Sequence, residues 1–314
     1  MHDITPADVA AVIITYAPDV EALAAHLKQV AAQVARVYLV DNSTAPADRA
    51  SVNALAAENV HVLSLGGNRG IAEALNAGIQ AARAEASHVL LLDQDSAPEP
   101  EMTQRLIRDL QAASRDGAPI AAIGPTQIDV RNGMRAPFVR FGFPFNKKLW
   151  PASGAWADCD FLITSGSLVA ITAYDAIGPF DARLFIDNVD MEWSHRATAA
   201  GYRLAGSADA GLRHRLGDRL TRRPGGYAAV HAPIRLYYMM RNRVHLYFRR
   251  NTPRVWIAQD LPRLLLKFIG FSLFVAPRRT NARAMLRGIG DGLRGRLGPS
   301  ADSFPGEGSG GNLA

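Results

Sequence analysis

An α/β fold, with a doubly wound, mostly parallel sheet and a helical C-terminal extension, is predicted by three observations in the 314-residue sequence. Apolar runs of strand length alternate with segments of helical periodicity in the order β-α-β-α-β-α-β within about the first hundred residues, and parallel neighbours need crossovers of helical length. Two of these runs end in carboxylates, which a parallel sheet delivers to its C-terminal edge, where open α/β sheets bind ligands. The last third changes character: residues 1–200 hold 15 basic and 23 acidic side chains, residues 201–296 hold 20 basic and 4 acidic.

Val9 to Thr15 is a β-branched run, read as the first buried strand and broken by Tyr16, Ala17, Pro18 and Asp19. Val20, Leu23, Ala24, Leu27, Val30 and Ala31 recur at helical spacing. VYLVDNS supplies a second strand ending at Asp41, and Val60 to Leu65 a third. Glycines 66, 67 and 70 then precede a well-patterned helix, an arrangement that suits a phosphate because backbone N–H groups and the helix dipole both favour an anion. No G-x-G-x-x-G follows the first strand, which removes the main support for a dinucleotide-binding dehydrogenase. HVLLLDQDS, residues 88–96, is a strand buried on both faces that ends in Asp93 and Asp95. The pair fits either a shared divalent cation or the cap of a turn.

After a helix ending near Arg115, AAIGPTQIDV reads as a strand, and residues 131–158 as an irregular loop over a site. FLITSGSLVAI reads as a strand with a polar interruption at Thr164 to Ser167. LFIDNVDMEW gathers Asp187, Asp190 and Glu192 at the start of a helix that runs to Ala200. Beside Phe185, Ile186 and Trp193, one of these acids can acquire the raised pKa of a general base; the alternative is a helix cap with an acid-rich first turn. His214 follows another strand-like segment, and Arg219, Arg222 and Arg223 cluster in a loop expected to be mobile and suited to phosphate oxygens.

The final third is helical. The thirteen residues 264–276 are apolar except for Lys267 and Ser272, too short to span a bilayer as one helix. They fit an interfacial helix with Trp256, Phe268, Phe271 and Phe274 in the acyl boundary and Arg263, Arg278 and Arg279 on headgroups, or a helix packed on the main domain. Three units are expected: 1–230 as the catalytic domain, 231–298 as the basic amphipathic extension and 299–314 as a disordered tail. The single cysteine, Cys159, excludes an internal disulfide framework and a cysteine-rich zinc site. The N-terminus lacks a basic, apolar export signal, so a cytoplasmic location is expected. The basic third admits nucleic acid, anionic lipid or a phosphorylated substrate, but no RNA- or DNA-binding motif accompanies it.

TYAPD, LVDNS, GNRGIAEALNAGI, LLLDQDS, FLITSGS, LFIDNVDMEW, RHRLGD and HAPIRLYYMMRN, in that order along almost the whole chain, closely resemble bacterial rhamnosyltransferases of glycosyltransferase family 2. The resemblance implies a GT-A fold and inverting transfer of L-rhamnose from dTDP-L-rhamnose to a glycan or glycolipid acceptor in O-antigen or other surface polysaccharide synthesis. It implies a lipid-linked acceptor and a peripheral position on the inner face of the cytoplasmic membrane, against its anionic surface. Carried over by position, Thr15, Tyr16 and Asp41 border the nucleoside, Arg69 helps hold the donor, and Asp93 with Gln94 of DQDS lies near the sugar. Asp95 and His214 would bind Mg2+ or Mn2+, and Asp190 would be the base. Val189 stands where many relatives have Glu, which keeps Asp187 a competitor. Arg222 and Arg223 would close over the diphosphate. A rhamnolipid rhamnosyltransferase, and a non-catalytic nucleotide-sugar or nucleic-acid binding module, are the rival readings.

Overall fold

The computed structural model describes residues 3–115, 117–214, 219–223 and 226–300, with 219–223 and 226–230 described by backbone alone. In chain order the elements are β1 (Val9–Thr15), α1 (Val20–Ala31), β2 (Arg36–Asp41), α2 (Pro46–Asn53), β3 (Val60–Ser64), α3 (Ile71–Ala82), β4 (His88–Asp93), β5 (Ala97–Pro98), α4 (Met102–Ser114), β6 (Ile120–Asp129), β7 (Phe138–Arg140) and β8 (Lys147–Leu149). There follow β9 (Trp156–Cys159), β10 (Leu168–Ala170), α5 (Ile171–Ile177), α6 (Val189–Ala199), β11 (Arg203–His214), β12 (Arg219–Arg223), β13 (Gly226–Val230), α7 (Pro233–Tyr247), α8 (Arg254–Leu273) and α9 (Arg278–Leu293).

The sheet runs β3-β2-β1-β4-β10-β6-β11-β5, with β9 also paired to β11. Its first four strands are parallel, as the alternating pattern requires; β10 enters antiparallel between β4 and β6. Alternate side chains of each central strand point to opposite layers. Ala10, Val12, Ile14, Val89 and Leu91 pack with α3, α5 and α6, while Val9, Ala11, Ile13, Leu90 and Leu92 pack with α1 and α4. Burial on both faces leaves a side chain no solvent until the strand ends, which forces Asp41 and Asp93 to the C-terminal edge.

Four sequence expectations are corrected in detail. FLITSGSLVAI is not one strand: the chain turns at Gly166 (φ 88°), only Leu168–Ala170 joins the sheet, and Ile171 begins α5. Residues 131–158 are not wholly irregular, since they hold the β7–β8 hairpin and the start of β9. The backbone of 219–223 is a strand paired with β13 rather than a loop; the roles expected of the Arg222 and Arg223 side chains lie outside the described residues, as does the tail beyond Ser300. In α8, Trp256 and Phe271 point inward, and the outward face is instead Leu261, Leu265, Leu266, Ile269 and Leu273, with Phe274 exposed just beyond. None of the described helices is long and apolar enough to cross a membrane.

α7 packs along α9 through Gly288 and Gly292, whose missing side chains leave room for the backbone carbonyls of Tyr237 and Arg241. A backbone carbonyl cannot swing aside, so Gly288→Ala is expected to destabilise the protein by roughly 1–3 kcal/mol, the range for overpacking. Gly270 in α8 has open space where a Cβ would go, and Gly270→Ala is expected to stabilise by roughly 0.5–1 kcal/mol through helix propensity. Urea denaturation of the two variants beside the parent checks both signs.

Candidate active site

The register of β1, β2 and β4 places Thr15 beside Asp41 and Ile14 beside Asp93. Asp41 is fully buried: its Oδ1 accepts from Thr15 Oγ1 at 3.4 Å and from the Ser43 amide at 3.0 Å, and its Oδ2 has no hydrogen-bond partner among the described residues. A buried carboxylate oxygen left unpaired is costly unless a ligand donates to it. Tyr16 and Gln94 are joined reciprocally, Tyr16 N donating to Gln94 Oε1 at 2.8 Å and Gln94 Nε2 to the Tyr16 carbonyl at 3.2 Å. Arg69 has an exposed side chain. The glycine-containing turn before α3 does not offer its last amides to an anion, contrary to the phosphate reading. The amide of Arg69 donates to Asn42 Oδ1, that of Gly70 to Asn68 Oδ1 and that of Ile71 to the Phe185 carbonyl.

A metal-competent cluster forms where β4 meets the end of β11. Asp95 Oδ1 lies 3.3 Å from His214 Nδ1 and Asp93 Oδ2 lies 3.8 Å from His214 Nε2. One donor atom from each of the three falls within 4.8 Å of the others. The polar interruption between β9 and β10 serves this cluster, because Ser165 Oγ accepts from the Asp93 amide and contacts Ser96 Oγ, which in turn reaches His214 Nδ1 at 3.3 Å. Desolvation raises the pKa of Asp93; His214 opposes that shift and Asp95 adds to it. Burial alone would lower that of His214, but Asp95, Asp93 and Asp129 outweigh it and the net shift is upward. Two carboxylates and an imidazole are a donor set that can hold a divalent cation. The sequence reading took Asp95 and His214 as ligands and kept Asp93 for the sugar, whereas the geometry groups Asp93 with both.

The second acidic centre divides. Asp190, in the first turn of α6, accepts from the Met191 amide at 2.7 Å. Its pKa is pushed up to about 6 by desolvation, with Asp187 and Asp93 adding to the shift. Asp93 is thus within electrostatic reach of Asp190. Asp187 Oδ1 pairs with Arg235 of α7 at 3.4 Å, and Lys267 of α8 is within electrostatic reach of both. Glu192 faces the other way: it is 3% exposed and is engaged by Arg196 at 2.9 Å and Arg249 at 2.8 Å. It is an ion-paired structural acid.

Residues 11–161 match the family described as Glycosyl transferase family 2. This segment, just under half of the chain, is a glycosyl transferase family 2 domain. Across 294 residues, 92% of this chain and 96% of the relative, the glycosyltransferase is 28% identical to the dTDP-rhamnosyl transferase RfbF of Shigella flexneri. Among solved structures it resembles S. aureus TarS 1–349, with 16% identity, a TM-score of 0.54 and coverage of 92% of this chain and 83% of that one. The same protein in complex with UDP-GlcNAc gives 16% identity and a TM-score of 0.57, covering 91% and 81%. At this identity the structural likeness speaks for the fold, which is of the GT-A type.

The family match ends before Asp187, Asp190 and His214, so these rest on the fold rather than on the matched segment. Sequence reasoning missed Ser96 and Arg235, and singled out Ser165 only as part of the polar interruption at Thr164 to Ser167. Their signal was weak: single polar residues that become neighbours only when β10 inserts beside β4 and α7 returns to the sheet edge. Mn2+ is expected to raise the melting temperature of the glycosyltransferase, and the increment should disappear in Asp95→Ala and in His214→Ala. Because the metal must displace a proton from His214, whose pKa is raised, Mn2+ affinity should increase with pH through that titration. Calorimetric titration at pH 6 and pH 8 checks it.

Proposed function

We propose that this glycosyltransferase moves L-rhamnose from dTDP-L-rhamnose, with inversion, to a glycan or glycolipid acceptor in bacterial surface polysaccharide synthesis. The observation that carries the reading is the meeting of two acidic centres at one sheet edge, one bearing His214 and the other bearing a carboxyl with its pKa at about 6. The dTDP-rhamnosyl relative supports the donor. In this reading the unpaired Oδ2 of Asp41 accepts the N3–H of thymine, with Thr15 and Tyr16 at the nucleoside and Arg69 and Gln94 at the donor's margin. Asp93, Asp95 and His214 would hold Mg2+ or Mn2+, which offsets the charge of the departing diphosphate. Segment 1–230 carries the donor side, and 231–298 is the extension that completes it.

Asp190 takes the proton of the acceptor hydroxyl; that oxygen forms a bond to the anomeric carbon as the bond from the anomeric carbon to the phosphate oxygen breaks, and dTDP leaves with the electron pair. Arg235 is ion-paired with Asp187, whereas Asp190 has no cation beside it in any described contact. Asp190→Asn is expected to lower kcat by two orders of magnitude or more, with dTDP binding within about threefold of the parent. Above pH 6 the carboxylate is ionised and competent; as pH falls through about 6 it takes up a proton and kcat falls with it. Transfer that survives in Asp190→Asn but is lost in Asp187→Asn would move the base to Asp187.

Peripheral attachment to the anionic inner face of the cytoplasmic membrane completes the proposal. It is supported by the outward face of α8, where Leu261, Leu265, Leu266, Ile269 and Leu273 are 40–68% exposed and no charged residue interrupts them. Arg254 and Arg278 stand at its two ends. An apolar face with cationic ends suits an anionic lipid surface. In flotation assays the protein is expected to rise with phosphatidylglycerol-containing vesicles and less with neutral ones, and Leu265→Glu/Ile269→Glu should stay at the bottom. Equal flotation of the double variant would remove α8 from the contact, and a concentration-dependent dimer lost in that variant would assign the face to a second copy.

A further inference from the structure

Between Leu184 and Asn188 the chain takes a conformation that its own residues disfavour. Phe185 has φ 66° and ψ −67°, with the Ile186 amide donating back to the Leu184 carbonyl at 2.8 Å, which is a tight three-residue turn of the rare, strained hand. Asp187 and Asn188 both have φ 62°, in the left-handed region. Three non-glycine residues of this kind in four positions cost on the order of 1–3 kcal/mol each, and such a segment persists only where its surroundings over-determine it.

The surroundings that do so come from α7. Asn242 is fully buried, and its Nδ2, with two hydrogens, lies within hydrogen-bond distance of three carbonyls, those of Leu184 at 3.0 Å, Ile186 at 2.7 Å and Asp187 at 2.8 Å. Arg241, equally buried, sends Nη2 to the Leu184 carbonyl at 2.8 Å and Nε to Asn242 Oδ1 at 2.9 Å, which fixes the amide's orientation. The remaining carbonyl, that of Phe185, is taken by the Ile71 amide at 2.8 Å. Every carbonyl from Leu184 to Asp187 is thereby satisfied from outside the turn, which a backbone folded out of regular structure requires. Gly70 has no side chain because one would strike Phe185, and Gly292 none because one would strike the Arg241 carbonyl. The turn is held from the α3 side and the helix that grips it is held by α9.

We propose that Arg241 and Asn242 are positioning residues for the transfer reaction, fixing the Leu184–Asn188 turn so that Asp187 and Asp190 face the donor site. Neither side chain touches substrate; both act through the backbone that carries the acids. The proposal rests on the reading that an acid of this turn or of the first turn of α6 is the base, and its test separates the two. Asn242→Ala removes the amide's hold on these carbonyls. Asn242→Ser, which keeps one donor, and Arg241→Lys are the milder variants to read should the alanine variant not fold.

In folded variants kcat is expected to fall at least tenfold while the KM for dTDP-rhamnose and the affinity for dTDP stay within about threefold, and the acid limb of the kcat–pH profile should move, because the acids would face a different surrounding. In the double variant Asp190→Asn/Asn242→Ala, the second change should add almost nothing to the loss caused by the first. A KM that rises with kcat unchanged, an unmoved acid limb, or a fully multiplicative loss in the double variant would overturn the proposal. Should Asp190→Asn keep its turnover while Asn242→Ala loses it, the assignment of the base fails and the positioning role stands, with Asp187 as the acid it serves.

Discussion

Asp93, Asp95, Asp187 and Asp190 crowd one edge of a sheet, where like charges at short range and in a poorly hydrated space repel strongly. The rest of the architecture can be read as the means of keeping them together. The apolar strands β1, β2 and β4 are covered on both faces and cannot yield sideways. His214 stands between Asp93 and Asp95 on one side, and Arg235 faces Asp187 on the other. Asp190 has no such partner among these contacts, and its pKa is raised first by desolvation and then by Asp187 and Asp93. A carboxyl raised in this way is more basic than an exposed one and is still ionised at neutral pH.

Much of this was legible before any coordinates. Strand-length apolar runs identified β1, β2, β3 and β4 with their ends nearly in place, because strands buried on both faces have few other ways to be written. The acids at 41, 93 and 95 followed from those ends. What escaped was non-local. β10 is three residues long and antiparallel, too short to leave a period, yet it carries Ser165 to the cluster. Glu192 read like its neighbours in sequence and turned out to belong to two arginines, one of them 57 residues away. The inward turn of Trp256 and Phe271 was equally hidden, since composition alone does not say which flank of an apolar helix meets the protein.

The C-terminal extension therefore serves two faces. One flank of α7 enters the core around Phe185 and Ile186, with Tyr237 and Tyr238 beside them, and α9 braces it from behind. The family match ends at residue 161, well short of these helices. The part of the chain most recognisable by sequence thus carries Asp41, Asp93 and Asp95, and the less recognisable part carries Asp187, Asp190 and His214.

The reciprocal hydrogen bonds between Tyr16 and Gln94 carry a mechanical consequence. With Ala17 also tied to Ser43, and Asn42 tied to the turn at Arg69, the loops after β1, β2, β3 and β4 are stitched into one plate. A plate of this kind cannot open at one end to admit a nucleotide and close at the other around a sugar. The four loops are therefore coupled: a substitution that loosens one of them is felt by the other three.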